Sequence, residues 1–428
     1  MHHVIFALLP LILVTNCEET SVYPEYTKET STESGLLSMD SVNPDSYLNP
    51  GQIIRRYGYT SESHVIETED GYLLTVHRIP KSKNGTVGKQ PVLLQHGLLA
   101  TSTCFLDEGN KSLAFILSDL GYDVWLGNAR GNEYSRAHVT LLPEDTKFWN
   151  FSWHEMAIFD IPAVVTYISD TTNSPGDILY VGHSMGTTMF FAFASLKPQI
   201  AAKVKAMVAL APVAFMTHLT SPIKYLAPWV NDIDFIAKHL GINEFLPSSK
   251  VMKLMAFDCL SKFTRKICEN LLFLIAGFNK DQVDEKTLEV VLAHMPSGTS
   301  TKTVLHYLQE ISSKGDFRQY DYGTDGNIIQ YGQPTPPEYN LQDIQVPVYL
   351  MYADSDMLAS PLDVKRLYTR LTQRIGIYEV PLPSFNHVDF LFAKDVVKLV
   401  YNNLTATLKQ YAVNSSSGQG FFRDLPNN

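Results

Sequence analysis

One five-residue stretch constrains the fold of this 428-residue chain more than any other. Gly182-His183-Ser184-Met185-Gly186 follows the apolar run Ile178–Val181 and precedes Thr187–Leu196, a run of small and apolar residues of helical length. A strand that turns directly into a helix makes a crowded, strained bend. Glycines on either side of Ser184 let the backbone pass, and the serine hydroxyl is left exposed at the carboxyl edge of a sheet. The helix N-terminus adds N–H groups and a partial positive charge beside any oxyanion that develops there. An ordinary glycine-rich turn is the plain alternative, and partners elsewhere in the chain decide between the two.

The sequence around this turn has the rhythm of an open sheet. Ser63–Thr68 and Tyr72–Ile79 alternate in the strand manner about the turn signal Asp70-Gly71, which predicts a hairpin. Val92–Gln95, Asp123–Leu126, Ile178–Val181, Ala206–Leu210, Val348–Tyr352 and Ile377–Val380 are short apolar runs of the buried parallel kind. Ser112–Leu120, Ile158–Ser169 and Thr187–Leu196 carry helical spacing between them. The rhythm stops near Phe215 and resumes near Val346. Between those points Tyr225–Leu240, Ser249–Phe263, Arg265–Ala276 and Lys286–His294 read as helices, so this block is an insertion after a core strand.

Gly-x-Ser-x-Gly at a strand-to-helix turn resembles the nucleophile turn of α/β hydrolases, whose partners follow in the order acid, then histidine. A serine hydroxyl needs a base, and the base needs a carboxylate to orient it. Ser384-Phe385-Asn386-His387 lies after the final strand, and His387 is the only histidine beyond His306. Ala353-Asp354-Ser355-Asp356 follows the Val348–Tyr352 strand and offers two carboxylates. Asp356, farther out of the strand, is preferred, while Asp354 is expected to bond the turn. Asp363 reads as a helix-start residue. The second oxyanion donor, besides the Met185 N–H, is expected at Leu98 in Gln95-His96-Gly97-Leu98. There His96 reads as a packed loop residue rather than a base.

Composition narrows the context. Apolar residues are 45% and charged residues 18%, and a formal charge of −10 with no basic stretch argues against nucleic acid and anionic membranes as partners. Residues 1–17 read as a signal peptide, with an apolar run too short to span a bilayer, and residues 18–47 as a flexible leader. Asn84, Asn110, Asn150, Asn403 and Asn414 each begin an N-glycosylation triplet. A mature chain that has shed Cys17 keeps Cys104, Cys259 and Cys268, an odd number. Cys259 and Cys268 lie close in sequence and are the expected pair. No nucleotide-binding or metal-ligand pattern occurs, so no cofactor or metal is implied.

Seven stretches in order then resemble the acid lipase family, which holds the gastric and lysosomal acid lipases. They are Thr68-Glu-Asp-Gly-Tyr72, Leu94-Gln-His-Gly-Leu-Leu-Ala100, Gly121-Tyr-Asp-Val-Trp-Leu-Gly-Asn128, Ala129-Arg-Gly-Asn132, Tyr180-Val-Gly-His-Ser184, Ala209-Leu-Ala-Pro-Val213 and Asn386-His-Val-Asp-Phe390. The resemblance covers roughly residues 48–410. It implies an α/β-hydrolase fold with a mostly parallel central sheet: a first core part over 48–214, a mainly helical cap and lid over 215–340, a second core part over 341–412, and a tail over 413–428. It also implies Ser184, Asp356 and His387 as a triad, Leu98 and Met185 as oxyanion donors, and a Cys259–Cys268 disulfide. Three residues depart from the family pattern: Met185 where glutamine is usual, Ala276 where a cysteine is usual, and the additional Cys104.

The expected activity is hydrolysis of a neutral glyceride or sterol ester at an oil–water interface, by a secreted or lysosomal enzyme with no transmembrane segment and no obligate protein partner. The alternatives are a carboxylesterase for short soluble esters and a non-catalytic lipid-binding or yolk-storage protein on the same scaffold.

Overall fold

The computed structural model describes residues 43–246, 277, 279–313 and 315–412. The expected signal peptide, Cys17, Cys259, Cys268, Asn414 and the two helices expected at Ser249–Phe263 and Arg265–Ala276 lie outside them.

The chain builds a nine-stranded sheet. Strands β1 (Glu62–Glu67) and β2 (Tyr72–Ile79) form the expected hairpin, paired antiparallel from Glu62 with Arg78 to Glu67 with Leu73. Next in the chain come β3 (Gln90–Gln95), β4 (Tyr122–Leu126) and the short β5 (Ala137–His138), then β6 (Ile178–His183) and β7 (Val204–Leu210). A two-stranded ribbon of β8 (Glu244–Phe245) and β9 (Thr299–Ser300) lies in the insertion, and β10 (Val348–Tyr352) and β11 (Arg374–Glu379) complete the series. The spatial order is β1-β2-β4-β3-β6-β7-β10-β11, with β5 on β2, and every pairing from β4 to β11 is parallel.

Burial explains why these runs are strands. Every residue of β3, β4 and β6 is buried, because helices cover both faces of a parallel sheet. The helices Leu113–Asp119, Ile161–Thr172 and Met185–Leu196 follow β3, β4 and β6, each near its expected place. The last is buried along its whole length except Leu196, so its sequence of small and apolar residues fits a central position.

Between β7 and β10 the longer elements among the described residues are helices: Val230–Leu240, Glu285–His294, Thr301–Ser312 and Gly323–Tyr331. The first is shorter than the Tyr225–Leu240 reading, because two 3-10 turns with prolines precede it. The last two were not expected from sequence, although Val304, Tyr307, Leu308 and Ile311 behind the N-cap Ser300 give Thr301–Ser312 helical spacing. Residues 44–47, assigned to the leader by sequence, form a 3-10 turn whose Asp45 is buried against Tyr57 and Arg56. Their acidic side chain is held by residues of the following helix, which composition does not reveal.

Candidate active site

The strand-to-helix turn after β6 has the strain its sequence predicts. Ser184 has φ 52 and ψ −118, a left-handed conformation costly for a residue with a Cβ. The surrounding crowding is literal. A Cβ at Gly186 would land on the Gln95 carbonyl oxygen, inside van der Waals contact, and one at Gly97 would lie 3.0 Å from the Ser184 Cβ.

Three loops converge on Ser184. His387 Nε2 lies 2.7 Å from Ser184 Oγ, and His387 Nδ1 lies 2.9 and 3.0 Å from the two carboxylate oxygens of Asp356. Asp356 is buried and its Oδ1 also accepts from the N–H groups of Leu358 and Ala359. Asp354, expected to bond the turn, is instead exposed and makes no hydrogen bond among the described residues. Asp356 itself makes the local bonds, because it points inward where the turn's N–H groups lie. Asp363 sits in the first turn of the helix Pro361–Arg370, and both its oxygens bond His218, one to the backbone N–H and one to Nδ1.

His387 is held from behind. His183 donates from Nε2 to the His387 carbonyl oxygen at 2.9 Å. Burial above all, together with the neighbouring His387, pushes the His183 pKa down to about 3, so its ring is neutral. Asp389, two residues past the base, accepts from the Asn386 N–H and from Asn279 Nδ2, both at 2.9 Å. Burial raises its pKa to about 6. Sequence reading missed both roles, although Asn386-His-Val-Asp-Phe390 carries the relevant spacing.

Leu98 follows the carboxyl end of β3 and Met185 opens the helix after Ser184, so both backbones border the nucleophile. The first N–H groups of a helix have no intrahelical acceptor, which leaves that of Met185 for a ligand. Cys104 stands free and buried, and burial with nearby Asp107 pushes its thiol pKa well up, which makes it a packed apolar residue. Of the glycosylation triplets, Asn84, Asn110 and Asn150 are exposed and Asn403 is half-buried on a helix. Among the described residues no cluster of His, Cys, Asp or Glu could hold a metal ion, and no helix is long and apolar enough to cross a membrane.

A strained serine at a strand-to-helix turn, with a histidine and an aspartate on later loops of a parallel sheet, defines an α/β hydrolase. The family model for the alpha/beta hydrolase fold matches residues 90–394, and a partial alpha/beta-hydrolase lipase region matches residues 50–109. Bovine gastric triacylglycerol lipase is 39% identical over 88% of this chain and 94% of its own length. The lysosomal acid lipase/cholesteryl ester hydrolase of Macaca fascicularis is 37% identical over 90% of this chain and 96% of its own. A monoglyceride lipase from Saccharomyces cerevisiae shares the fold at 15% identity, with a TM-score of 0.53 over 84% of this chain and 99% of that one. This chain belongs to the acid lipase family, among the carboxylic ester hydrolases.

Proposed function

We propose that this protein hydrolyses carboxylic esters of neutral lipids, triacylglycerols or sterol esters, through an acyl-enzyme on Ser184. The observation that carries the reading is the continuous line from Ser184 Oγ through His387 to Asp356, at 2.7 and 2.9 Å. His387 Nε2 takes the serine proton as Oγ attacks the ester carbonyl, and Asp356 stabilises the imidazolium. The Leu98 and Met185 N–H groups receive the tetrahedral oxyanion. His387 then returns its proton to the departing alcohol, and water, activated the same way, releases the fatty acid.

The substrate class rests on the relatives, one named for triacylglycerol and one for cholesteryl esters. By this reading residues 215–340 belong to a cap, and Cys259 and Cys268, which lie outside the described residues, are its expected disulfide pair. The signal peptide and the exposed triplets at Asn84, Asn110 and Asn150 support a secretory route, to the medium or the lysosome.

Turnover of one long-chain and one short-chain ester tests the reading. Emulsified long-chain ester should be the better substrate, and a serine-directed phosphonate should label the protein. Ser184→Ala should fold, escape labelling and lose on the order of 10⁴ or more in turnover. Undiminished turnover in that variant sinks the hydrolase reading, and a preference for the soluble short ester makes the protein a carboxylesterase.

A further inference from the structure

His96 was read from sequence as a packed loop residue, and its hydrogen bonds give it a second task. Its Nδ1 lies 2.7 Å from the Gly97 carbonyl oxygen, which also accepts from the Ala100 N–H at 3.3 Å. The Gly97–Leu98 peptide is trans, so its carbonyl and the Leu98 N–H point in opposite directions. Fixing one end of that peptide dipole fixes the other.

The tautomer of His96 follows from its second nitrogen. Nε2 faces the Ala129 backbone N–H at 3.0 Å and Asn132 Nδ2 at 3.1 Å. A backbone N–H can only donate, so Nε2 accepts and the ring proton sits on Nδ1, aimed at Gly97. The ring is 1% exposed, and burial pushes its pKa down to about 4. Asn132 is itself fixed: its Oδ1 accepts from the N–H groups of Tyr134 and Ser135, and its Nδ2 also reaches Asn128 Oδ1. Asn128 in turn accepts from Ser102 N–H and donates to the Thr75 carbonyl of β2. The loops after β3 and β4 are thus joined by one buried polar network that ends on the Gly97 carbonyl.

We propose that His96 is a positioning residue for ester hydrolysis: as the Nδ1–H tautomer it holds the Gly97–Leu98 peptide so that the Leu98 N–H is aimed at the substrate oxygen. The inference rests on the hydrolase reading above. A donor set on the oxyanion's position strengthens as negative charge develops, so its misdirection affects the transition state more than the bound ester.

Two variants separate this role from simple packing. In His96→Asn the Nδ2 group falls near the former Nδ1 and keeps a donor for Gly97. In His96→Gln the amide reaches the former Nε2 and keeps an acceptor for Ala129, with no donor at Gly97. Steady-state kinetics on p-nitrophenyl butyrate, with thermal midpoints and phosphonate labelling of Ser184, read the difference. For His96→Gln kcat should fall roughly 10- to 100-fold with KM within about twofold, less than the 10²–10³ lost with an oxyanion donor itself. His96→Asn should keep kcat within about fivefold of the parent at a similar thermal midpoint. The proposal is overturned by a folded His96→Gln with parental kcat, or by equal losses in both variants. Should only His96→Asn fold, a kcat loss beyond about tenfold overturns it. Failure of both to fold makes His96 a folding residue and overturns it too. A parent that neither turns over ester nor takes the label indicts the hydrolase reading instead.

Discussion

Asp354 and Asp356 stand two positions apart in one loop and have opposite surroundings. Asp354 is exposed, whereas the Asp356 carboxylate is buried and receives the Leu358 and Ala359 N–H groups as well as His387 Nδ1. That Asp356 rather than Asp354 faces His387 agrees with the preference drawn from the end of the apolar strand and the family pattern. Its local bonding was not legible in the sequence, because spacing says where a carboxylate sits and not which way it points. Asp356→Asn should fold yet lose about 10⁴-fold in turnover, since an amide favours the wrong histidine tautomer and cannot stabilise the imidazolium. Asp354→Asn should change stability by no more than about 0.5 kcal/mol and leave turnover near parental. Turnover and thermal midpoint of both variants, measured side by side, check this. An active Asp356→Asn would remove that residue from the triad.

The strand, turn and helix around Ser184 were the most legible element because three constraints coincide there: an apolar strand, glycines at both ends of the bend, and an apolar helix. Gly186 is the tightest point, since any Cβ meets the Gln95 carbonyl at the end of β3. Gly186→Ala should therefore cost about 1–3 kcal/mol of overpacking. It should also lower turnover, because β3 leads directly into Leu98. Denaturant titration with a turnover assay tests the pair, and parental stability would mean that the two loops are not in contact. Elements in the insertion were harder to read. Thr301–Ser312 buries His306 and Glu310 beside Leu305, Tyr307 and Leu308, so polar side chains interrupt its apolar face. His306 is satisfied there by Ser152 Oγ and the Arg318 carbonyl, partners far from it in sequence. Gly323–Tyr331 has two glycines and leaves Ile329 86% exposed, which hides it from any periodicity.

At the scale of the molecule, the insertion is tied to three of the loops around Ser184. Thr220 and Ser221 donate to the Met357 carbonyl beside Asp356, Ser297 donates to the Leu99 carbonyl beside Leu98, and Asn279 bonds Asp389 close to His387. One corner of this arrangement titrates. His294, at the end of the helix Glu285–His294, bonds Asp107 at 2.9 Å and the Leu48 carbonyl at 3.2 Å, joining the insertion to the core and to the N-terminal segment. Burial opposes charge on His294, but the Asp107 carboxylate outweighs it and holds the pKa above the usual value. Burial likewise lifts nearby Glu108 to about 7, against the pull of Lys111. A pKa raised by folding stabilises below the unfolded value and loses that contribution as pH climbs through the folded one. Both groups therefore favour the fold on the acid side: the thermal midpoint should drop from about pH 4.5 to about 7 as Glu108 ionises, and should slope further downward above pH 6.5 as His294 loses its proton. His294→Gln should flatten that slope, and an unchanged slope would show that the pair is not its source. The sheet itself closes without the insertion. Met207 to Leu210 of β7 lie in register with Val348 to Met351 of β10, although 137 positions separate Leu210 from Val348 in the chain. A backbone cut at exposed Gly241 would leave the serine on one polypeptide and the acid and base on the other. The β7–β10 pairing, together with the insertion's bonds to both parts, should bring them back together, so ester turnover in such a split enzyme becomes a reporter of fragment reassociation.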